Sequence, residues 1–126
     1  MRKEDIASEY KQHMNCCQAV LCAFKDETGL ELDLLRKLGS AFGSGMATMD
    51  GTCGALVGAE MVLGLVGQQP VRTGARKLFT EFEQQCGSSV CGTIKGIDNG
   101  QVLCSCDQCV RNAVNIVSEL LAPAHV

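Results

Sequence analysis

At 126 residues the chain can hide one hydrophobic core without staples, and its 11 basic against 14 acidic side chains, a formal charge of −3, leave no electrostatic footprint for nucleic acid. Tyr10, Phe24, Phe42, Phe79 and Phe82 are its aromatics and tryptophan is absent, so a base-stacking platform is excluded as well. Membrane insertion is not expected either: the most apolar stretch, residues 55–66, is interrupted by Glu60 and falls short of the ~20 residues a bilayer needs.

No run of alternating polarity is long enough for a strand, and the segments read as helix after helix. Residues 3–27 carry Ile6, Tyr10, Cys17, Val20 and Phe24 at helical spacing, and Gly29 closes them as a left-handed cap. Within them Asn15-Cys16-Cys17-Gln18 has the pattern of a fresh helix start, Asn15 capping and Gln18 reaching back, so a break is expected near Met14. A second helix is predicted over 33–41, with Leu34, Leu35 and Leu38 facing inward. Gly43-Ser44-Gly45 then opens a loop through Asp50-Gly51 whose backbone can approach another group closely.

The third helix, 53–65, is followed by Gly67 and bears Gly54, Ala55, Gly58 and Ala59 on a nearly bare face. Each glycine costs ~1 kcal/mol of helix propensity, so the face predicts a neighbouring helix packed unusually close. Pro70 opens a fourth helix whose stripe of Val71, Ala75, Leu78, Phe79, Phe82 and Cys86 faces the core, with Gly87 at its end. A short helical turn around Cys91 and a polar loop over 96–100 lead to the last helix, 106–121. Ser105 and Gln108 suggest a second capping box there, Cys109, Ala113, Ile116 and Leu120 its core face, and Pro123 its stop. The fold class expected is all-α: one domain, residues 1–126, built as a bundle of five to six helices.

Nine cysteines dominate the chemistry. The count is odd and residues 1–5 lead into a polar amphipathic stretch without an apolar signal core, so a cytoplasmic address is expected. In a reducing compartment such a set points to redox or metal chemistry rather than a disulfide framework. Their placement sharpens this. Cys16 follows Asn15, Cys53 follows Thr52, Cys91 comes two residues after Ser89, and Cys106 and Cys109 lie in the first turn behind Ser105. A helix start offers unpaired N–H groups and the positive end of the dipole, which favour thiolate, the nucleophilic and metal-binding form.

Cys106-Asp107-Gln108-Cys109 is also a C-x-x-C, but it lacks the βαβ surroundings of a thioredoxin motif, and no histidine follows it, which excludes c-type haem attachment. Cys104 extends it to C-x-C-x-x-C, enough for three metal ligands. Cys22 and Cys86 read as core, Cys17 as core or a spare thiol, His13 as a surface or helix-end residue, Glu60 as facing water, and Met46 and Met49 as packing.

Asn15-Cys16, Gly51-Thr52-Cys53-Gly54-Ala55-Leu56-Val57-Gly58, Cys91 and Cys109 together resemble the C-GCAxxG-C-C family of redox-active proteins, over nearly the whole chain. The resemblance implies that Cys16, Cys53, Cys91 and Cys109 are the working sulfurs. That family is distantly similar to the non-haem part of split-Soret cytochromes, which implies an iron–sulfur cluster as one role for four thiolates. This chain departs by five further cysteines, of which Cys104 and Cys106 crowd the last motif.

Three readings follow. The four sulfurs exchange disulfides and pass electrons to a redox partner protein; or they hold an iron–sulfur cluster or zinc, with Cys104 and Cys106 as further ligands; or the chain is a helical interaction protein with incidental thiols. The small-residue helix face permits a homodimer. No substrate pocket or general base is legible.

Overall fold

A computed structural model describes residues 1–68, 70–97 and 100–122. Helices run in the order α1 (Lys3–Lys11), α2 (Cys16–Ala23), α3 (Lys25–Thr28), α4 (Leu32–Gly39), α5 (Gly54–Val66), α6 (Val71–Cys86), α7 (Cys91–Ile94) and α8 (Cys106–Leu121). Among the described residues there is no strand, only one isolated antiparallel bridge between Thr52 and Val90. No helix there is long and apolar enough to cross a membrane.

Among the described residues the bundle is therefore all-α but has eight helices rather than five to six. The excess comes from the first predicted helix, which breaks twice. Asn15 adopts extended backbone, accepts the Gln18 N–H and receives the Gln18 side chain on its own N–H, a full capping box that starts α2 afresh at the expected break. Phe24 then leaves helical geometry (φ −103°, ψ 25°), which sets α3 apart as a single turn closed by left-handed Gly29.

α2 is the central helix: all its residues except Gln18 are buried, and α1, α4, α5 and α8 surround it. The bare face of α5 meets it as expected. A Cβ on Gly54 would stand 2.8 Å from the Phe42 carbonyl oxygen and 3.2 Å from the Cys17 nitrogen, and one on Gly58 2.8 Å from the Cys17 carbonyl oxygen. The glycines thus set the α2–α5 spacing, and with it the distance between the cysteines at the two helix starts.

Two inward assignments need correction. Of the three leucines expected to face inward from α4 only Leu35 is buried, while Leu34 and Leu38 are 45% and 40% exposed. Residues four apart share a stripe, and the stripe that meets α2 is Leu35 with Gly39, whose absent Cβ leaves room for the Gln18 backbone. In α6 the buried stripe is Leu78, Phe82 and Cys86, and Phe79, one position off it, is 37% exposed.

The second capping box is half formed: the Ser105 hydroxyl accepts the Gln108 N–H, but the Gln108 side chain turns to Asn112. On α8, Cys109, Ala113 and Ile116 are buried as expected and Leu120 is half-buried. Arg111 ties α8 to α1 through Asp5 (2.8 Å) and Glu4 (3.8 Å) while pairing with Asp107 on its own helix. Pro123 and residues 98 and 99 of the predicted 96–100 loop lie outside the described residues.

Candidate functional site

The loop between α4 and α5 is built against its residues' preferences. Ser44, Met46, Ala47 and Met49 all have positive φ, a region that L side chains enter at a cost. What this unusual backbone holds is the start of α7. The Cys91 N–H donates to the Gly51 carbonyl (3.0 Å) and the Gly92 N–H to the Met49 carbonyl (2.8 Å), while the Cys53 N–H donates to the Ser89 carbonyl (2.7 Å). Gly45 lets the loop lie on Cys91, since a Cβ there would stand 2.6 Å from the Cys91 Cβ. The close approach expected of this glycine-rich segment is an approach to a cysteine.

The starts of α2, α5, α7 and α8 converge. Cys16, Cys91 and Cys106 are the first residues of their helices, Cys53 is the N-cap of α5, and Cys109 lies one turn into α8. Their side chains and Cys104 line one small cleft of about 10 Å³, into which Lys95 also reaches. The structure thus gathers all four family positions, Cys16, Cys53, Cys91 and Cys109, together with both additional candidates, Cys104 and Cys106. All nine cysteines are free thiols.

The sulfurs fall into two sets. At the mouth Cys16 and Cys106 interact, with the Lys95 ammonium beside Cys106. Cys106 is half-buried and its pKa is pushed down to about 5, first by the Cys16 hydrogen bond and then, against the opposing effect of burial, by Lys95. Cys16, which gives the proton, is driven the other way. Burial disfavours the charged form of Lys95, but the facing Cys106 and Cys91 sulfurs outweigh it and raise its pKa.

On the floor the Cys109 thiol is shared between the sulfurs of Cys53 and Cys86, which raises its pKa and lowers theirs, that of Cys86 to about 6. The Asn112 side-chain amide also donates to the Cys86 sulfur (3.4 Å), and the backbone amides of Ala55 and Leu56 support Cys53. Cys91 lies apart from both pairs, its thiol turned toward the Met49 sulfur (3.9 Å) and its pKa raised by burial.

A helix start was expected to favour thiolate at each position. At Cys16 and Cys109 proton sharing between neighbouring sulfurs wins over the dipole, and at Cys91 burial does. Sequence reasoning missed two members. Cys86 is buried as expected of a core residue, yet its sulfur lies within 4.8 Å of those of Cys104 and Cys109. Lys95 was overlooked although it follows Cys91 by four residues, the spacing that returns a side chain to the same side of a helical turn.

Of the remaining candidates, Cys17 is fully buried, with its pKa pushed up to about 12 by burial and then by nearby Cys53. His13 lies at a separate surface groove with Ile6, Glu9 and Tyr10. Met46 is exposed and Met49 meets Cys91. Glu60 does not simply face water: it is half-buried, and burial pushes its pKa up to about 7.

Comparison with known proteins returns one family, whose model, described as "Putative redox-active protein (C_GCAxxG_C_C)", matches residues 14–120. No curated protein and no solved structure matches the chain.

Proposed function

Starting from a chain that belongs to the C_GCAxxG_C_C family, we propose that this protein is a thiol–disulfide redox carrier whose exchanging pair, at the outer end of the cleft, is Cys106 and Cys16. The observation that carries the reading is that Cys16, Cys106 and Lys95 line the same cleft, with Cys106 only half-buried. A nucleophilic thiol needs a thiolate, access and a resolving neighbour, and Cys106 combines all three. Cys91 lines the same cleft with its thiol engaged by Met49.

The exchange step balances within the pair. The Cys106 thiolate attacks a partner protein's disulfide, forming a mixed disulfide and expelling one partner thiolate, which takes a proton from solvent. Cys16 then loses its proton and attacks the Cys106 sulfur, forming the Cys16–Cys106 disulfide. The second partner sulfur departs with that proton, so the partner gains two electrons and this protein is oxidised by two.

The test is thiol counting with peptide mapping. After equilibration with an oxidised dithiol, the accessible thiol count should fall by two, with Cys16 and Cys106 recovered in one linked peptide pair; linked peptides that contain neither residue, or an unchanged count, would refute the reading.

A second reading, an iron–sulfur cluster in the same cleft, is favoured by six sulfurs lining one space. Brown protein after anaerobic purification would select it. Zinc on the four family positions is less well supported, because Cys16, Cys53 and Cys91 stand outside the set of sulfurs within mutual reach.

A further inference from the structure

We infer that Cys86, Cys104 and Cys109 form a binding site for a thiophilic divalent ion of the zinc type, separate from the outer exchange pair. Their three sulfurs lie within 4.8 Å of one another, and all three residues are wholly or partly buried. Sulfurs sharing a tetrahedral zinc at ~2.3 Å are about 3.8 Å apart, so closure onto an ion asks for shifts of an ångström or less. Two of the three, Cys86 and Cys104, are not among the positions that define the family motif, so the site belongs to this chain's own additions.

The backbone is arranged to bring these sulfurs together. Cys86 is the last residue of α6, and Gly87 turns the chain sharply at φ 90°. Its missing side chain leaves room for the 103–104 segment, since a Cβ on Gly87 would stand 3.0 Å from Leu103 Cδ1 and 3.2 Å from its Cβ. From the other side the Leu103 N–H is held by the Ile94 carbonyl at 2.8 Å. Cys104 is thereby seated over Cys86, and Cys109 comes up from the first turns of α8.

The chemistry of the donors also fits. Soft thiolates select zinc-type and other thiophilic ions over hard cations. The Asn112 amide, donating to the Cys86 sulfur, supplies the kind of outer hydrogen bond that orients a metal-bound thiolate. Cys53, which lines the same cleft as Cys104 and Cys109, is a candidate for a fourth position. Binding releases one proton from each thiol that becomes a ligand, so affinity should fall as pH is lowered.

The inference does not depend on the exchange reading, and its test keeps the two apart. The full chain, reduced and freed of metal without air, is titrated with cobalt(II) and then zinc. One equivalent of cobalt should develop thiolate-to-metal charge-transfer absorption and zinc should displace it. Cys86→Ser and Cys104→Ser should each weaken binding at least tenfold, and Gly87→Ala several-fold, whereas Cys16→Ser and Cys106→Ser should bind as the parent does. Cys104 lies outside any helix, so its variant, with unchanged helical circular dichroism, separates ligand loss from misfolding. Absence of a thiolate band in the reduced parent, or binding undiminished by Cys104→Ser, would overturn the site, and loss of binding in Cys106→Ser would merge it with the mouth.

Discussion

The mouth and the floor of the sulfur cleft use different physics to hold negative charge. At the mouth Cys106 is half-buried, faces a lysine and takes a hydrogen bond from one thiol. On the floor Cys53 and Cys86 are almost wholly inaccessible and are supported by hydrogen bonds from Cys109, Asn112 and backbone amides. A thiolate beside a flexible cation in partial contact with water can meet a macromolecular disulfide. A cluster of three sulfurs close together, two of them buried and only Cys104 partly exposed, is better matched to a small ion.

The largest test of the contrast is removal of the proton donor at the mouth. Cys16 is the leading cause of the low Cys106 pKa, so Cys16→Ala should raise it by on the order of two units, about tenfold in thiolate fraction near pH 6. The rate of Cys106 alkylation against pH reads this directly: its midpoint, near 5 in the parent, should move up in Cys16→Ala and move less in Cys16→Ser, whose hydroxyl can still donate. Equal profiles in all three proteins would break the distinction between mouth and floor.

Next comes the spacing that keeps the two sets apart. A methyl on Gly58 would stand 2.8 Å from the Cys17 carbonyl oxygen, a backbone atom that cannot rotate away. Overpacking of this kind costs about 1–3 kcal/mol, against which a glycine-to-alanine change returns at most ~1 kcal/mol of helix propensity. Gly64 on the same helix has nothing within 4 Å of its Cβ position, so Gly64→Ala should stabilise by up to about 1 kcal/mol. Thermal unfolding should therefore shift in opposite directions for the two variants. Stabilisation by Gly58→Ala would show that the α2–α5 contact does not fix the distance between Cys16 and Cys53.

Smaller again is Lys95→Met. Loss of the cation should raise the Cys106 pKa by about one unit, roughly twofold in alkylation rate near pH 6. Cobalt binding on the floor should be unchanged. If both respond alike, the cleft is one electrostatic site.

How much of this was legible in the sequence depends on how local the signal was. Asn15 and Gln18 announce the start of α2 because a capping box is complete within four residues. The bare face of Gly54 and Gly58 announces a close neighbour but not which helix it is. Cys86 was hidden because its helical register correctly marks it as buried, and register cannot say that the atoms around it are sulfurs. The tight turn at Gly87, which seats the 103–104 segment over it, joins residues far apart in sequence. The positive-φ backbone at Ser44, Met46, Ala47 and Met49 was equally invisible, because three of those side chains do not advertise it. The helix-start argument identified the right neighbourhood, but which sulfur keeps its proton is settled by sulfur–sulfur contacts that no spacing encodes.

The smallest effect separates the thiols from a half-buried carboxylate, Glu60. Glu60 lies on α5, and burial alone pushes its pKa up to about 7 from the ordinary carboxyl value of 4.5. A folded-state pKa above the unfolded one means that the native protein binds more protons between those values. Stability is then greatest below about pH 4.5 and declines as pH rises toward 7. Because the side chain retains contact with water, the decline should be on the order of 1 kcal/mol, well below what the full shift would imply. Glu60→Gln should flatten this slope while leaving Cys106 alkylation unchanged, since Glu60 is not among the groups that shift Cys106. Denaturant midpoints measured across pH 4–8 decide the matter: a decline of the same size in Glu60→Gln as in the parent would show that Glu60 is not its source.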